Sequence, residues 1–412
     1  MLAASEAYGR PMTAPEESIH RRIREGGPIT FADFMEMALY GPDGYYTRGE
    51  PVGGRGADYF TSPVAHPLFG ALLALQLEQM WRLLGAPDDF AVVEPGAGDG
   101  RLAHDIVAFA PQLAPDFAAA LAYTAVDRAP RSVGGASSSV GWCTGDDPGL
   151  GRMTGCVVSN ELFDAFPVHR LKQVDGGLRE AYVDLTDGRL VELLAEPSTP
   201  RLAAHLESEG VALEEGWRAE VSLVATDWME AMASRLTRGY VITVDYGDLA
   251  EDLYTERRRQ GTLMSYYDHT PQEEPLQRVG RQDITAHVNF TALIEAGKRG
   301  GLQPVVLMTQ DELLRNLGAG LFIEALAALH LPQPQYQANA MAMRALLRPE
   351  GLGGFRVLVQ AKGAAAADLA CLRGDEDYLD SLRRRLPELE PPLLGEGHVD
   401  LMAARFPHLA GG

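Results

Sequence analysis

The chain has 412 residues, 46% hydrophobic and 23% charged, which places it among folded globular proteins. Its 36 basic against 57 acidic residues leave a net charge of −21. That excludes a nucleic-acid partner, because phosphates demand a basic surface; it suits a cationic partner or plain solvated surface.

In chain order, the pattern predicts helices over Glu16–Glu25 and Phe31–Leu39, the second behind a Pro28–Thr30 start signal. A long glycine-, tyrosine- and proline-rich stretch, Gly41–Pro63, reads as a binding loop or lid. Pro67–Leu84 is an apolar helix. Strands follow at Phe90–Val93, Tyr123–Val126, Val140–Cys143 and Cys156–Ser159, with a helix over Arg101–Phe109 and a crossover that Pro111 and Pro115 break. Arg170–Glu196 alternates between turns at Asp175-Gly176 and Asp187-Gly188, which is hairpin chemistry and predicts an antiparallel insertion. A helix at Leu223–Leu236 leads into a buried strand, Tyr240–Val244. Helix Phe290–Arg299, strand Gln303–Met308, helix Gln310–Leu317, a helical region Gly320–Leu347 and a last strand, Phe355–Gln360, complete the pattern.

The expected division is 1–85, a helical and loop region forming part of a lid; 86–168, the first half of an α/β core; 169–215, the hairpin insertion; 216–362, the second half with a helical insertion; and 363–412, a peripheral tail. Cys143, Cys156 and Cys371 have no paired spacing, so neither a disulfide framework nor a metal site is expected. No segment nears the roughly 20 apolar residues of a membrane span, and the opening stretch lacks a signal-like apolar run. The expectation is a soluble cytoplasmic protein without membrane insertion, and a homodimer stays open.

The chemistry concentrates at 90–106. A buried strand ends in Glu94, crosses a turn with Gly96, Gly98 and Gly100, and opens a helix, the place where nucleotide-like cofactors sit in an open α/β sheet. The spacing is G-x-G-x-G, not the G-x-G-x-x-G of dinucleotide binders. A carboxylate at the strand end repels a pyrophosphate but suits a sulfonium with a cationic amino group. The inferred cofactor is S-adenosylmethionine.

Several phrases together resemble the MidA-like family, whose mitochondrial members are arginine methyltransferases that assist complex I assembly. They are FADFMEMALYGPDGYY (31–46), DYFTSP with LFG (58–70), VEPGAGDGRLAHDI (93–106), VVSNELFDAFPVHRL (157–171), VDYGD (244–248), GTLMSYYDH (261–269) and GRQDITAHVNFTAL (280–293), covering roughly residues 20–310. The resemblance implies a class I methyltransferase fold: a Rossmann-like sheet of seven strands, the last antiparallel, helices on both faces, and an inserted substrate region. It also implies S-adenosylmethionine and an arginine-bearing protein substrate, by analogy a complex I subunit. The chain departs from the family in its loop, where Ala97, Asp99 and Arg101 take the Pro, Arg and Thr places. It departs again at Val64 and His66, where Glu and Ser are usual. These departures are expected near the site mouth and leave the substrate open.

For the cofactor, the expected residues are Glu94, the three glycines, Asp127 at the end of strand two (for the ribose hydroxyls, or else a turn cap), Asn160 and Ser62. An arginine substrate holds its proton up to a pKa above about 12, so carboxylates must grip the guanidinium. Glu161 is the first choice and Asp164 the second. Asp283, Thr285 and His287 alternate and are expected on one strand face, with His287 a general base or an oriented support and His269 a weaker candidate. Asp245 and Tyr246 at a strand end, with Asp283 and the loop residues Tyr45 and Tyr46, are expected around the substrate, and Tyr45, Tyr46, Thr61 and Ser62 are expected to close over the cofactor. Methylation of a small-molecule oxygen or nitrogen, and a non-catalytic cofactor-binding assembly factor, are the alternatives.

Overall fold

Phe90–Pro95, the apolar run before the glycines, is buried along nearly its whole length and lies inside the main sheet. A computed structural model describes residues 12–48, 60–129, 140–145, 151–267, 270–272, 274–399 and 401. His269 and residues 49–59 of the long loop lie outside them.

The chain groups into two compact units. A hairpin unit gathers Met1–Glu50, Ala165–Val224 and Glu251–Ala286; a core unit gathers Pro51–Asp164, Ala225–Ala250 and His287–Gly412. The expected segments cut across these: 1–85 divides at residue 50, and 216–362 gives 251–286 to the hairpin unit.

The core unit holds a seven-stranded sheet among the described residues. Its strands are β1 (Phe90–Pro95), β2 (Leu121–Asp127), β3 (Val140–Thr144), β4 (Met153–Asn160), β5 (Leu236–Asp245), β6 (Gln303–Thr309) and β7 (Arg356–Lys362). The spatial order is β3-β2-β1-β4-β5-β7-β6. β7 runs antiparallel to both neighbours and the other pairs are parallel. This is the sheet the resemblance implied. The order reverses between β1 and β4, so the crevice at their carboxyl ends is where the topology opens a ligand site.

The packing explains why these segments fold as they do. Helix Leu68–Leu83 is apolar on nearly every side and is buried accordingly. Trp81 and Phe90 both pack on Phe117, with centroids 5.7 and 6.2 Å away; each such burial is worth ~1.5–3 kcal/mol. Helix Arg101–Leu113 tolerates Pro111 in its last turn, and the crossover breaks at Ala114 before a second short helix, Pro115–Ala120. The region after β7 is not the peripheral tail expected. Leu369, Ala370, Cys371, Leu382 and Leu389 are buried in the same core cluster as the sheet, because apolar side chains at helical spacing need a covered face.

In the hairpin unit, His169–Val174, Gly177–Thr186 and Arg189–Ala195 pair antiparallel. Both turns carry positive φ at Asp and Gly: +53° and +73° at Asp175-Gly176, +51° and +76° at Asp187-Gly188. That is the two-residue geometry whose twist matches a hairpin. Arg218–Val221 and Ile29–Thr30 extend the sheet, and helix Arg201–Ser208 lays Leu202 and Leu206 against Leu171 and Val221.

Candidate functional site

At the glycine turn, Gly96, Gly98 and Gly100 have φ of +69°, +57° and +79°, a region that costs other residues roughly 1–2 kcal/mol. A Cβ on Gly96 would stand 2.9 Å from Leu162 Cδ1 and one on Gly100 2.5 Å from the Trp142 ring, whereas one on Gly98 would meet no described atom within 4 Å. The backbone at Gly98 is therefore the open approach, and its neighbours are closed by packing. In the first turn of the helix that starts at Arg101, the Arg101 N–H donates to Asp99 Oδ1 and the Ala103 N–H to Glu94.

Asp127 ends β2 and accepts hydrogen bonds from Gly98 N through Oδ2 and Ala129 N through Oδ1, both 2.9 Å. It is a turn cap that also ties the loop, and each oxygen keeps a second lone pair. Glu94 differs from its expected form. Its carboxyl is 4% exposed and accepts from the Tyr123 hydroxyl at 2.8 Å. Burial pushes its pKa up to about 8; the Tyr123 bond opposes this, and the charges of Asp99 and Asp127 add to it. At neutral pH Glu94 is largely a neutral acid, so the argument from its charge against a pyrophosphate does not hold.

At the ends of β4 and β5 stand Asn160, Glu161, Asp164 and Asp245. Asn160 Nδ2 donates to Glu161 Oε1 at 2.9 Å, while its Oδ1 is buried with no partner among the described residues. Glu161 holds φ +50°, and its N–H donates to Val244 O. A left-handed carboxylate residue at a strand end is stored strain of the kind found at functional turns. Asp245 is the reason the turn persists: its Oδ2 accepts from Leu162 N (3.1 Å) and Phe163 N (2.9 Å), and its Oδ1 from Tyr246 N (2.9 Å). It is fully buried, as Asp164 nearly is at 6% exposed. Burial first, then the neighbouring charges of Asp164 and Glu161, raise its pKa well above the carboxylate range. Tyr246 meets the His287 ring edge-on at 5.4 Å.

Other expected residues land elsewhere. Strand Asp283–Thr285 stops before His287, which belongs to the core unit, so the three do not share a strand face. Asp283 is buried in the hairpin unit, accepting from the Tyr46 hydroxyl at 2.8 Å and from Ile284 N. Tyr45 is 2% exposed, between Tyr46 and the Arg48 guanidinium. Both are buried within the hairpin unit. Ser62 is wholly buried and donates to Gln310 Oε1 at 2.8 Å, so its hydroxyl is spent inside the core. Val64 and His66 are also buried, not at a mouth; His66 bonds Asn339 Oδ1, and burial lowers its pKa to about 4. Asp99 alone of the departures keeps an exposed side chain beyond its bond from Arg101 N.

A model of S-adenosyl-L-methionine-dependent methyltransferases matches residues 72–308. The chain belongs to this family. The methyltransferase is also similar to the mitochondrial protein arginine methyltransferase NDUFAF7 homolog of Drosophila melanogaster, 27% identical over 387 residues and 86% of each protein. Its human counterpart is 27% identical over 362 residues, 79% of this chain and 78% of that protein. A likely methyl transferase from Burkholderia thailandensis, crystallised with S-adenosyl-homocysteine, is 29% identical with a TM-score of 0.77, covering 90% of this chain and all of that one.

The cofactor of the methyltransferase is S-adenosylmethionine, and the residues present fit it: an open backbone at Gly98, a carboxylate at Asp127, and an unsatisfied buried amide oxygen at Asn160. Among the described residues no helix is long and apolar enough to cross a membrane. Sequence reasoning missed Tyr123 and Trp142. Only the β1–β2 register, with Val92 opposite Tyr123, makes Tyr123 a diagonal neighbour of Glu94.

Proposed function

We propose that this enzyme methylates an arginine nitrogen in a protein substrate, by family resemblance a subunit of respiratory complex I. The observation that carries this reading is the carboxylate cluster at the strand ends: Glu161 held by Asn160, with Asp164 beside the buried Asp245. A guanidinium stays protonated at neutral pH, so its recognition needs paired anionic oxygens. The names of the mitochondrial relatives support the same acceptor.

In this reading the bound cofactor supplies a methyl group on a sulfonium. The turn at Gly98 would give it a close backbone approach, Asp127 would hold its ribose hydroxyls, and Asn160 Oδ1 would take one donor. Glu161 grips the guanidinium and biases its charge onto the distal nitrogens, leaving one lone pair aimed in line. Asp164 accepts the proton that the attacking nitrogen sheds, and His287 stands as oriented support against Tyr246.

Tritiated methyl transfer into lysate of a strain lacking this protein tests it. Label should enter a protein band at arginine, and Glu161→Ala should abolish it while S-adenosyl-homocysteine affinity stays within a few-fold. Label confined to small molecules overturns the acceptor. We keep the cytoplasm as the proposed location; blotting of fractionated cells decides it.

A further inference from the structure

Past the last strand, residues 390–399 form neither helix nor strand except for turns, yet they are tied down along their length. Glu390 N donates to Gln112 Oε1, Leu394 N to Asn339 Oδ1 and Val399 N to Val64 O. Two further ties reach the helix that begins where the glycine turn ends. Arg101 Nη1 donates to Glu396 O at 2.9 Å, and His398 Nε2 bonds Asp105 Oδ2 at 3.0 Å with both side chains 4% exposed. The Arg101 guanidinium lies so close over Gly397 that a Cβ there would displace it. Its backbone N–H meanwhile donates to Asp99 Oδ1, so one residue joins the turn at 99 to the strap at 396–397. Arg101 stands where the family's loop carries threonine.

We propose that Arg101 and the Asp105–His398 pair are positioning residues for cofactor binding. They latch the 394–399 strap onto the first two turns of the helix and thereby fix the glycine turn. Three left-handed glycines at alternate positions have large backbone freedom, and whatever order the chain lacks before binding is subtracted from affinity. The latch supplies that order beforehand. Asp105 is suited to such a role. Burial alone would raise its pKa, but hydrogen bonds from His104 and His398 hold it below the carboxylate range, so it accepts both as an anion.

Calorimetry with S-adenosyl-homocysteine on the full chain tests this. Arg101→Met and His398→Ala should each weaken binding about tenfold, the scale of one charge-assisted hydrogen bond. Arg101→Lys should recover part of the loss. Tyr378→Phe, which cuts a tail bond to Leu317 O far along the chain from the latch, should leave affinity unchanged. By reciprocity, S-adenosyl-homocysteine should slow hydrogen exchange at the Leu394 and Val399 amides of the wild type, a readout that needs no variant to fold. Lower melting temperatures with unchanged affinity, or exchange indifferent to the ligand, would overturn the proposal. A wild type that takes up no S-adenosyl-homocysteine would sink the cofactor assignment itself, and the latch with it.

Discussion

Tyr123 on β2 donates its hydroxyl to Glu94 Oε2 on β1 at 2.8 Å, so the acid that precedes the glycine turn is clamped inside the sheet. Glu94 has a folded pKa raised from 4.5 to about 8, chiefly by burial. Between those values the folded chain keeps a proton that the unfolded chain has released. Stability is thus fully present below about pH 4.5, falls as pH rises through the window, and levels off above 8. Glu94→Gln keeps an acceptor for Tyr123 and removes the titration. Its melting temperature should gain on the wild type from pH 5 to pH 9, and parallel pH profiles would refute the account.

The loop glycines should fail in different ways. Gly98→Ala meets no described atom, so only the left-handed φ costs it, roughly 1–2 kcal/mol, and its main effect should be on S-adenosyl-homocysteine binding. Gly100→Ala adds a collision with Trp142 and should lose more stability than Gly98→Ala. Paired melting and calorimetry distinguish the two; equal stability losses would mean that Trp142 yields freely.

Glu161→Gly should separate stability from activity. Glycine relieves a φ of +50° worth up to about 1 kcal/mol while deleting the carboxylate proposed to grip the guanidinium. The expected variant melts at or above the wild-type temperature and transfers no methyl to protein. Retained transfer would remove Glu161 from the mechanism.

Asp245→Ala strips the acceptor from three backbone N–H groups at once, those of Leu162, Phe163 and Tyr246. At about 1–3 kcal/mol for each buried donor left bare, the loss should reach several kcal/mol. Denaturant titration measures it. A loss under about 1 kcal/mol would show that the 161–163 turn holds without this carboxylate.

What was legible in the sequence was local. The Asp-Gly pairs announced both hairpins because φ > 0 at two adjacent positions is a demand the residues themselves state. The glycine turn, the strand before it and the helix after it were read for the same reason. What depended on partners far along the chain was not. Ser62 and His66 look like loop residues until Gln310 and Asn339 arrive from some 250 residues away. Tyr45 and Asp283 looked like substrate contacts because their burial is set by tertiary packing. The tail seemed dispensable because nothing in it announces that His398 will meet Asp105.

The sheet order also governs how the chain can be shortened. Among the described residues Arg356–Lys362 is the last strand in chain order, yet it sits between β5 and β6 rather than at a rim. Until it inserts, two rows of backbone donors and acceptors face each other with nothing between them, open to any passing strand. Products ending before residue 356 should therefore be sticky, aggregation-prone species, even with the whole glycine turn already made.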